Sequence, residues 1–303
     1  MTLKISKIIV IITFICISRH SANVEAKLLV FVSILPQQQF VQQIGKDLVD
    51  VRVMVAPGAN PATYAPKPKQ MAQLSKARIY FAIGVPFEAV WLKKIAAASP
   101  AMAIIHTERG IQRIPMAAHA HDDQNQHHAE RTPSRRDDGY GSGLDPHIWL
   151  SPPLVRVQAA SIRDALAEID PAHGRLYAQN YEAFSERVAA LHDRLTSTFS
   201  GKGGLRFMVF HPSWGYFARA YGIEQVPIEI EGKSPKPAQL QAVITQARAS
   251  GIQVIFVQPQ FSTKSAALVA SAIGGRVAVA DPLAKDWMAN LWHVADQFSA
   301  ALR

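Results

Sequence analysis

Apolar and polar residues alternate along the first half of the chain in a pattern that predicts a parallel sheet covered by helices. Four short apolar runs predict strands, namely "LLVFVSI", "VDVRVMV", "IYFAIG" and "MAIIH". Helical spacing appears between them over residues 71–77 and in "FEAVWLKKIAAA". Strands that alternate with helices at this spacing indicate an α/β lobe.

The same alternation returns in the second half. "RFMVF", "EQVPIEI", "IQVIFVQ" and "RVAVAD" predict strands, and residues 237–250, 264–273 and 287–302 predict helices. Between the halves, apolar residues recur at three- and four-residue spacing over residues 154–167 and 172–199. The second of these segments would be about 40 Å long as a helix, which is longer than most globular helices. We therefore predict two α/β lobes with parallel sheets, joined by one long rigid helix.

The patterns divide the chain into four parts. We expect a signal peptide over residues 1–26, an N-terminal lobe over 27–170, a linking helix over 171–200 and a C-terminal lobe over 201–303. Residues 116–144 interrupt the first lobe with a segment that has no periodicity and is rich in His, Asp, Gln, Arg, Ser and Gly. This composition predicts a disordered, solvated loop.

The first residues have the features of an export signal. Lys4 and Lys7 precede the apolar run "IIVIITFICIS", and "VEA" ends at Ala26 with small residues at the positions that a signal peptidase reads. The run has about half the length that a membrane-spanning helix needs. The alternative is an uncleaved anchor helix, but Arg19 and His20 interrupt the apolar stretch early. We expect a cleaved signal and a periplasmic protein.

Composition restricts the chemistry of the mature chain. Hydrophobic residues make up 49% of the sequence and charged residues 18%, as in a globular protein with a real core. Cys16 is the only cysteine and lies in the signal, so a metal site must use nitrogen and oxygen ligands. The formal net charge of +9 comes from scattered basic residues that are not interleaved with aromatic residues, so we expect no nucleic-acid partner. Separately, we expect a monomer.

Candidate metal ligands follow several of the predicted strands. His211 follows "FMVF", Asp281 ends "RVAVAD" and Gln258 ends "VIFVQ", while His147 lies in "LDPHIWLSP". Ligands bind at the carboxyl ends of parallel strands, and two imidazoles with a carboxylate suit Zn²⁺, or Mn²⁺ and Fe²⁺ less selectively. Each residue also has a structural interpretation, because histidines at strand ends form hydrogen bonds and aspartates before proline cap helices.

Four histidines lie close together in the loop before "LDPHIW". The stretch "HAHDDQNQHH" carries His119, His121, His127 and His128. By composition alone it could be a solvated linker. Its position next to His147 favours a flexible loop that collects zinc weakly and releases it quickly. We predict that these imidazoles only collect the ion. The alternative is that one of them is a ligand in the tight metal-binding site.

Taken in order, these motifs resemble the periplasmic metal-binding proteins of zinc and manganese ABC transporters, the cluster A-I solute-binding family. The resemblance runs from about residue 28 to the C-terminus and is carried by "PGANPATYAPKPKQM", "DPHIWLSP", "FHPSWGYFA", "VIFVQPQFS" and "VAVADPLA". It implies two α/β lobes bridged by a long helix, with the metal in the cleft between them. It implies His147, His211 and Asp281 as ligands, and an ABC permease with its ATPase as partners.

The sequence departs from the family pattern at two ligand positions. Ala62 in "PATY" stands where the family has its first histidine, and Gln258 stands where many manganese members have a glutamate. The candidates for the fourth zinc ligand are, in decreasing order of preference, water or Gln258, a loop histidine, and Glu229 or Glu231. A site with only three protein ligands is expected to bind zinc more weakly, or to exchange it faster, than the complete site of other family members. Loss of the glutamate disfavours manganese, while nickel, cobalt and iron stay open.

The sequence thus predicts an extracytoplasmic protein that captures Zn²⁺ and delivers it to a permease, and not an enzyme. One alternative is an exported zinc-dependent hydrolase, since three protein ligands with an open position also describe catalytic zinc. Glu229 and Glu231 are its only obvious candidate bases, and no "HExxH" motif occurs. The other alternative is a stand-alone metal-buffering binder or adhesin that has lost its transporter.

Overall fold

The architecture is taken from a computed structural model of the chain, which describes residues 26–116, 143–230 and 233–302. Almost the whole predicted signal peptide lies outside the described residues. So do Glu231 and the four loop histidines, His119, His121, His127 and His128. Among the described helices, none combines the length and the apolar character that a membrane crossing requires.

The first lobe is a four-stranded parallel sheet in the order β2-β1-β3-β4. Its strands are β1 Leu28–Val32, β2 Val49–Val53, β3 Ile79–Ala82 and β4 Ala103–His106. Three helices connect them: α1 Leu35–Gly45, α2 Pro68–Leu74 and α3 Pro86–Ala98. All four strands match the predicted runs, and α2 begins three residues before the predicted helix because Pro68 suits the first turn.

Two helices follow the first lobe, α4 Pro152–Ile169 and α5 Gly174–Phe199. A short 3₁₀ turn, Pro171–His173, separates them. The 26 residues of α5 span about 39 Å. This is the long helix that the sequence predicts, although it begins at Gly174 instead of residue 171. The predicted boundaries of the lobes stay predictions.

The second lobe repeats the architecture of the first, with four parallel strands in the order β6-β5-β7-β8. The strands are β5 Arg206–Val209, β6 Glu224–Pro227, β7 Val254–Val257 and β8 Arg276–Val279. The helices are α6 Gly215–Tyr221, α7 Pro237–Ala249, α8 Lys264–Ala272 and α9 Trp287–Ala301. The predicted fold class, two parallel-sheet α/β lobes with a long helix, is therefore confirmed.

A continuous apolar core joins the two lobes around α5. The helix packs against α1 and α4 on the side of the first lobe and against α6 and α9 on the side of the second. Phe298 of α9 lies against the second sheet, 4.3 Å from Phe207 and 4.5 Å from Phe256 between ring centroids. At the other end of α9, Trp287 meets Phe40 of α1 edge to face at 5.1 Å. A smaller apolar cluster fills the opposite face of the second sheet, under α7 and α8.

Three hydrogen bonds fasten the segment around His147 to the second lobe. The Tyr216 hydroxyl donates to the backbone oxygen of Asp145 at 2.9 Å. The Trp149 indole donates to the backbone oxygen of Pro282 at 2.7 Å, and the Trp287 indole donates to the backbone oxygen of Trp149 at 2.7 Å. All these side chains are buried or nearly so. The segment from 145 to 150 is therefore held in a fixed position relative to β5 and β8.

A buried carboxyl group supports the loop after β3. Glu88 in the first turn of α3 is fully buried, and it accepts hydrogen bonds from the backbone nitrogens of Ile83 at 3.0 Å and Gly84 at 2.8 Å and from the Ser33 hydroxyl. Burial raises the pKa of Glu88 to about 7, although these hydrogen bonds act in the opposite direction. The loop that Glu88 supports carries Val85 and Pro86, which line the cleft between the lobes.

We expect the Glu88 carboxyl to make the folded protein less stable as pH rises. The folded state holds a proton up to a pKa of about 7, whereas the unfolded state releases it near 4.5, so the folded state binds more protons between these values. The free energy of unfolding should then fall by about 3 kcal/mol between about pH 4.5 and about pH 7. A Glu88→Gln variant does not titrate, so urea unfolding across this range should show a shallower decline. If the free energy of unfolding declined equally with pH in the two proteins, the raised pKa of Glu88 would be contradicted.

Candidate metal centre

A cavity of about 110 Å³ lies where the carboxyl ends of both sheets face each other. One side is formed by residues 60–62 and by the start of α3, and the other by His147, His211 and the loops that follow β7 and β8. Apolar side chains make up most of the lining. Carboxyl ends of parallel strands are the usual place for a ligand in this kind of fold.

His147 lies at one wall of the cavity with its ring orientation fixed by a carboxylate. Asp145 accepts a hydrogen bond from Nδ1 of His147 at 2.7 Å and from the His147 backbone nitrogen at 2.8 Å. Because an ionised carboxylate only accepts, Nδ1 carries the proton and Nε2 keeps its lone pair. Burial lowers the pKa of His147 below its ordinary value, more than the adjacent Asp145 raises it. A neutral imidazole is the form that binds a metal ion.

His211 is held in the same manner. Glu229 accepts a hydrogen bond from Nδ1 of His211 at 2.8 Å, so Nε2 is again free to bind. The ring also stacks on Phe261, with centroids 4.7 Å apart. Gln258 holds the His211 backbone: its amide nitrogen donates to the carbonyl oxygen at 2.7 Å, and its amide oxygen accepts from the backbone nitrogen at 3.2 Å. Ring and peptide of His211 are both fixed before any ligand arrives.

The two imidazoles lie next to each other. Their centroids are 5.2 Å apart and the rings are inclined by 68°. A ring whose nitrogen is about 2.0–2.1 Å from a tetrahedral zinc ion has its centroid about 3.2 Å from the ion, which puts two such centroids about 5 Å apart. The observed separation is therefore compatible with one ion shared by both rings.

Gly215 allows the Asp145 carboxylate to approach the start of α6. A Cβ atom at position 215 would lie 2.7 Å from Oδ2 of Asp145 and 3.1 Å from the amide nitrogen of Gln225. Both distances are shorter than ordinary contacts. The glycine in "HPSWGYF" is thus required by the carboxylate that orients His147.

Asp281 and Gln260 form a second polar group beside the histidines. Oδ1 of Asp281 accepts hydrogen bonds from the Gln260 amide at 2.9 Å and from the Leu283 backbone nitrogen at 2.9 Å. Gln260 lines the cavity, and its amide oxygen is buried without a hydrogen-bond partner in the part of the chain that the structure describes. Sequence reasoning chose Gln258 and missed Gln260. The only signal for Gln260 is that it follows the same strand two residues later.

The structure thus brings some of the predicted residues together. His147 and His211 share the cavity, while Asp281 is connected to it through Gln260, and Glu229 lies behind His211. The hydrogen bonds of Gln258 go to the His211 backbone and to Ser213, so its role as a ligand stays a prediction. Across the described ranges, no three His, Cys, Asp or Glu side chains are grouped closely enough to hold a metal ion.

Ala62 faces the histidine pair from the opposite wall. It lies in the turn after Asn60, whose side-chain oxygen accepts a hydrogen bond from the Ala62 backbone nitrogen at 2.8 Å. Ala62 lines the same cavity as His147 and His211. The position at which the family resemblance places a first histidine therefore contributes space instead of a ligand.

Removing the carboxylate behind one histidine should weaken zinc binding. Glu229→Gln takes the negative charge from Nδ1 of His211, which lowers the basicity of Nε2 and loosens the ring orientation. We expect about a tenfold loss of zinc affinity, measured by competition with a chelator dye. Asp170→Asn is the matched control, because Asp170 makes the same 2.8 Å contact with His173 outside the cavity. Equal losses in the two variants would show that the contact at His211 has no specific role.

The two-lobed fold, with a cleft that presents a pair of carboxylate-supported imidazoles, defines a metal-binding solute-binding protein of ABC transport. Comparison with known proteins places the chain more closely. It belongs to the family described as zinc-uptake complex component A, periplasmic (ZnuA), whose family model matches residues 30–301. This is a family of extracytoplasmic binding proteins and not of enzymes, as the sequence predicts.

Similar proteins support this placement along the whole fold. A crystal structure of ZnuA is 39% identical, has a TM-score of 0.81 and covers 92% of this chain and 100% of its own. The high-affinity zinc uptake system protein ZnuA of Bacillus subtilis (strain 168) is 27% identical over 265 residues, which are 85% of this chain and 79% of that protein. The iron-binding protein YfeA of Yersinia pestis is 27% identical over 244 residues, which are 79% of this chain and 72% of that protein.

Proposed function

We propose that this protein captures Zn²⁺ in the periplasm and delivers it to an ABC permease and its ATPase for import. The observation that carries the proposal is the pair His147 and His211, whose rings are held by Asp145 and Glu229 and share one cavity at a centroid distance of 5.2 Å. Carboxylate-supported imidazoles of this kind are typical of zinc sites. The protein acts as a monomer after cleavage of its signal peptide.

In the proposed site, His147 and His211 coordinate the ion through Nε2, and Asp281, which is not grouped with them in the structure described, approaches as the third ligand when the ion binds. Oδ2 of Asp281 is available, since within the described residues the hydrogen bonds to its carboxylate go to Oδ1. Water completes the tetrahedral shell on the Ala62 side. Of the two glutamines, Gln260 is better placed than Gln258 to contact the bound ion or its water, because its buried amide oxygen has no hydrogen-bond partner among the described residues.

The nature of the donors favours zinc over the other divalent ions. Two imidazoles with one carboxylate suit Zn²⁺, whereas Mn²⁺ prefers a set of hard oxygen ligands. The similar proteins include a zinc uptake protein and an iron-binding protein, so Fe²⁺, Mn²⁺, Ni²⁺ and Co²⁺ are the competitors to test. We propose Zn²⁺ as the physiological cargo.

A metal titration tests the proposal. The mature protein, residues 27–303, is purified without metal and titrated with Zn²⁺ in the presence of excess Mn²⁺. We expect one tightly bound zinc ion per chain, which manganese does not displace. Metal content of the protein taken directly from the periplasm shows which ion it carries in the cell. Absence of zinc from that protein, together with no saturable zinc binding in the titration, would overturn the proposal.

The histidine-rich loop gives a separate prediction about how the ion is collected. We propose that His119, His121, His127 and His128 gather zinc and that the tight site does not need them. Deleting residues 117–130 should slow zinc uptake at low external zinc but leave the affinity of the purified protein within about twofold. Replacing the same residues by a glycine-serine linker of equal length controls for the shortened loop. Loss of the tight site in both variants would instead assign one loop histidine as a ligand.

A further inference from the structure

The cavity beside the histidine pair has more room than a bare metal ion requires. Its volume is about 110 Å³, whereas about 10–15 Å³ on the same scale is enough for one water molecule. Part of this room exists because position 62 is an alanine. The space therefore accommodates several non-hydrogen atoms besides one ion.

The protein also offers fewer ligands than a bare ion requires. The carboxylates of Asp145 and Glu229 are used on the Nδ1 atoms, behind the two rings. Among the described residues, Asp281 is a further acidic group near the cavity, and two hydrogen bonds hold its Oδ1. Within the described ranges, no cluster of three potential ligand side chains exists. Even with Asp281 as the proposed third ligand, a zinc ion held by His147 and His211 thus keeps an open position on the Ala62 side.

Two polar groups in the lining are suited to an organic ligand. The amide oxygen of Gln260 is a buried acceptor that has no partner within residues 26–116, 143–230 and 233–302. Asn60 uses its side-chain oxygen to accept from the Ala62 backbone nitrogen, and among the described residues no hydrogen bond is formed by its amide nitrogen. One acceptor and one donor match a molecule that carries an N–H group and a carboxylate.

The rest of the lining is apolar and stiff. Pro61 and Pro86 lie on one side of the cavity and Phe261 and Leu283 on the other. Such walls favour contact with methylene groups over contact with hydrated ions.

We propose that the cavity takes zinc together with one small amino-carboxylate chelator, so that the cargo is a 1:1 zinc–chelate complex. His147 and His211 coordinate the ion, and the chelator supplies the donors missing on the Ala62 side. Its amine N–H donates to Gln260 and one carboxylate accepts from Asn60. This inference rests on the proposed function, because it uses the same ion and the same histidines.

Equilibrium dialysis of the mature protein with Zn²⁺ alone, with zinc and iminodiacetate, and with zinc and L-histidine tests the inference. We expect one chelator to be retained per zinc ion with at least one of the two compounds, and zinc retention at equal free zinc to rise about tenfold. Glutarate, which has the length of iminodiacetate but no donor nitrogen, should not be retained. If both chelators strip zinc from the protein in proportion to their solution affinities, the inference is wrong.

An Ala62→Leu variant tests the role of the cavity space separately from the role of the two histidines. Leucine fills the space opposite the rings without adding a ligand, so chelator retention should fall about tenfold further than the binding of zinc alone. Ala65→Leu, at an exposed position three residues further along and not in the lining, should behave as the unmodified protein. In the unmodified protein, zinc that binds alone while neither chelator is retained contradicts only this inference. Zinc that binds in neither form contradicts the proposed function as well.

Discussion

Replacing His147 and His211 together by alanine should abolish tight zinc binding by the mature protein. Structural zinc sites with four ligands contribute about 10–16 kcal/mol, so removal of two imidazoles should cost about half of this. The expected loss of affinity exceeds about 1,000-fold. Competition with a chelator dye measures the affinity, and dialysis measures the number of ions bound.

The double variant needs a control with the same number of histidines removed. His173 and His293 make hydrogen bonds with Asp170 and Gln297 and do not line the cavity, so their replacement by alanine should leave zinc binding unchanged. Thermal unfolding of each variant without metal shows whether the fold is kept. Unchanged affinity in the His147→Ala, His211→Ala protein would exclude the cavity as the zinc site.

Replacing Ala62 by histidine should strengthen the binding of zinc alone by about 100-fold. The new imidazole enters the cavity lined by the histidine pair and takes the position that the proposed site leaves to water. One ligand out of four contributes about 3 kcal/mol on the scale of complete zinc sites, which corresponds to this factor. Ala62 is exposed in a turn, so the change should not disturb folding.

The control for this gain is Ala62→Leu, which fills the same space without a donor atom. Zinc titration of the two variants side by side shows whether a gain in zinc affinity comes from coordination by the new imidazole or only from the exclusion of water. The Ala62→His protein should also lose its retention of chelators, since the open position is then occupied. Equal affinities in the two variants would show that residue 62 does not reach the ion.

Most of the fold could be predicted because hydrophobic spacing reports directly on buried strands. All eight predicted strands form, and each lies in a parallel sheet. Two helices could not be predicted. In α1, the run "LPQQQFVQQIG" contains few apolar residues, and burial of Phe40, Val41 and Ile44 against neighbouring elements stabilises it. In α6, seven residues are too few to show a helical period.

Only those parts of the site that follow directly from the ends of strands could be predicted from the sequence. His211 follows β5 at the carboxyl edge of the second sheet, and His147 shares its cavity because hydrogen bonds fasten the segment around His147 to the second lobe. The roles of Gln258 and Gln260 could not be assigned, because the loop backbone after β7 decides which amide faces His211 and which faces the cavity. The pairing of Glu229 with His211 depends on the same kind of tertiary detail.

The long helix α5 limits how a loaded protein can be distinguished from an empty one. The helix is built into the core of both lobes, so a large rotation of one lobe against the other would break the packing of α1, α4, α6 and α9 at the same time. We therefore expect a loaded and an empty protein to differ only by short displacements at the rim of the cleft, such as the turn at residues 60–62. Exchange of that turn between relatives should change which cargo is accepted without altering the scaffold.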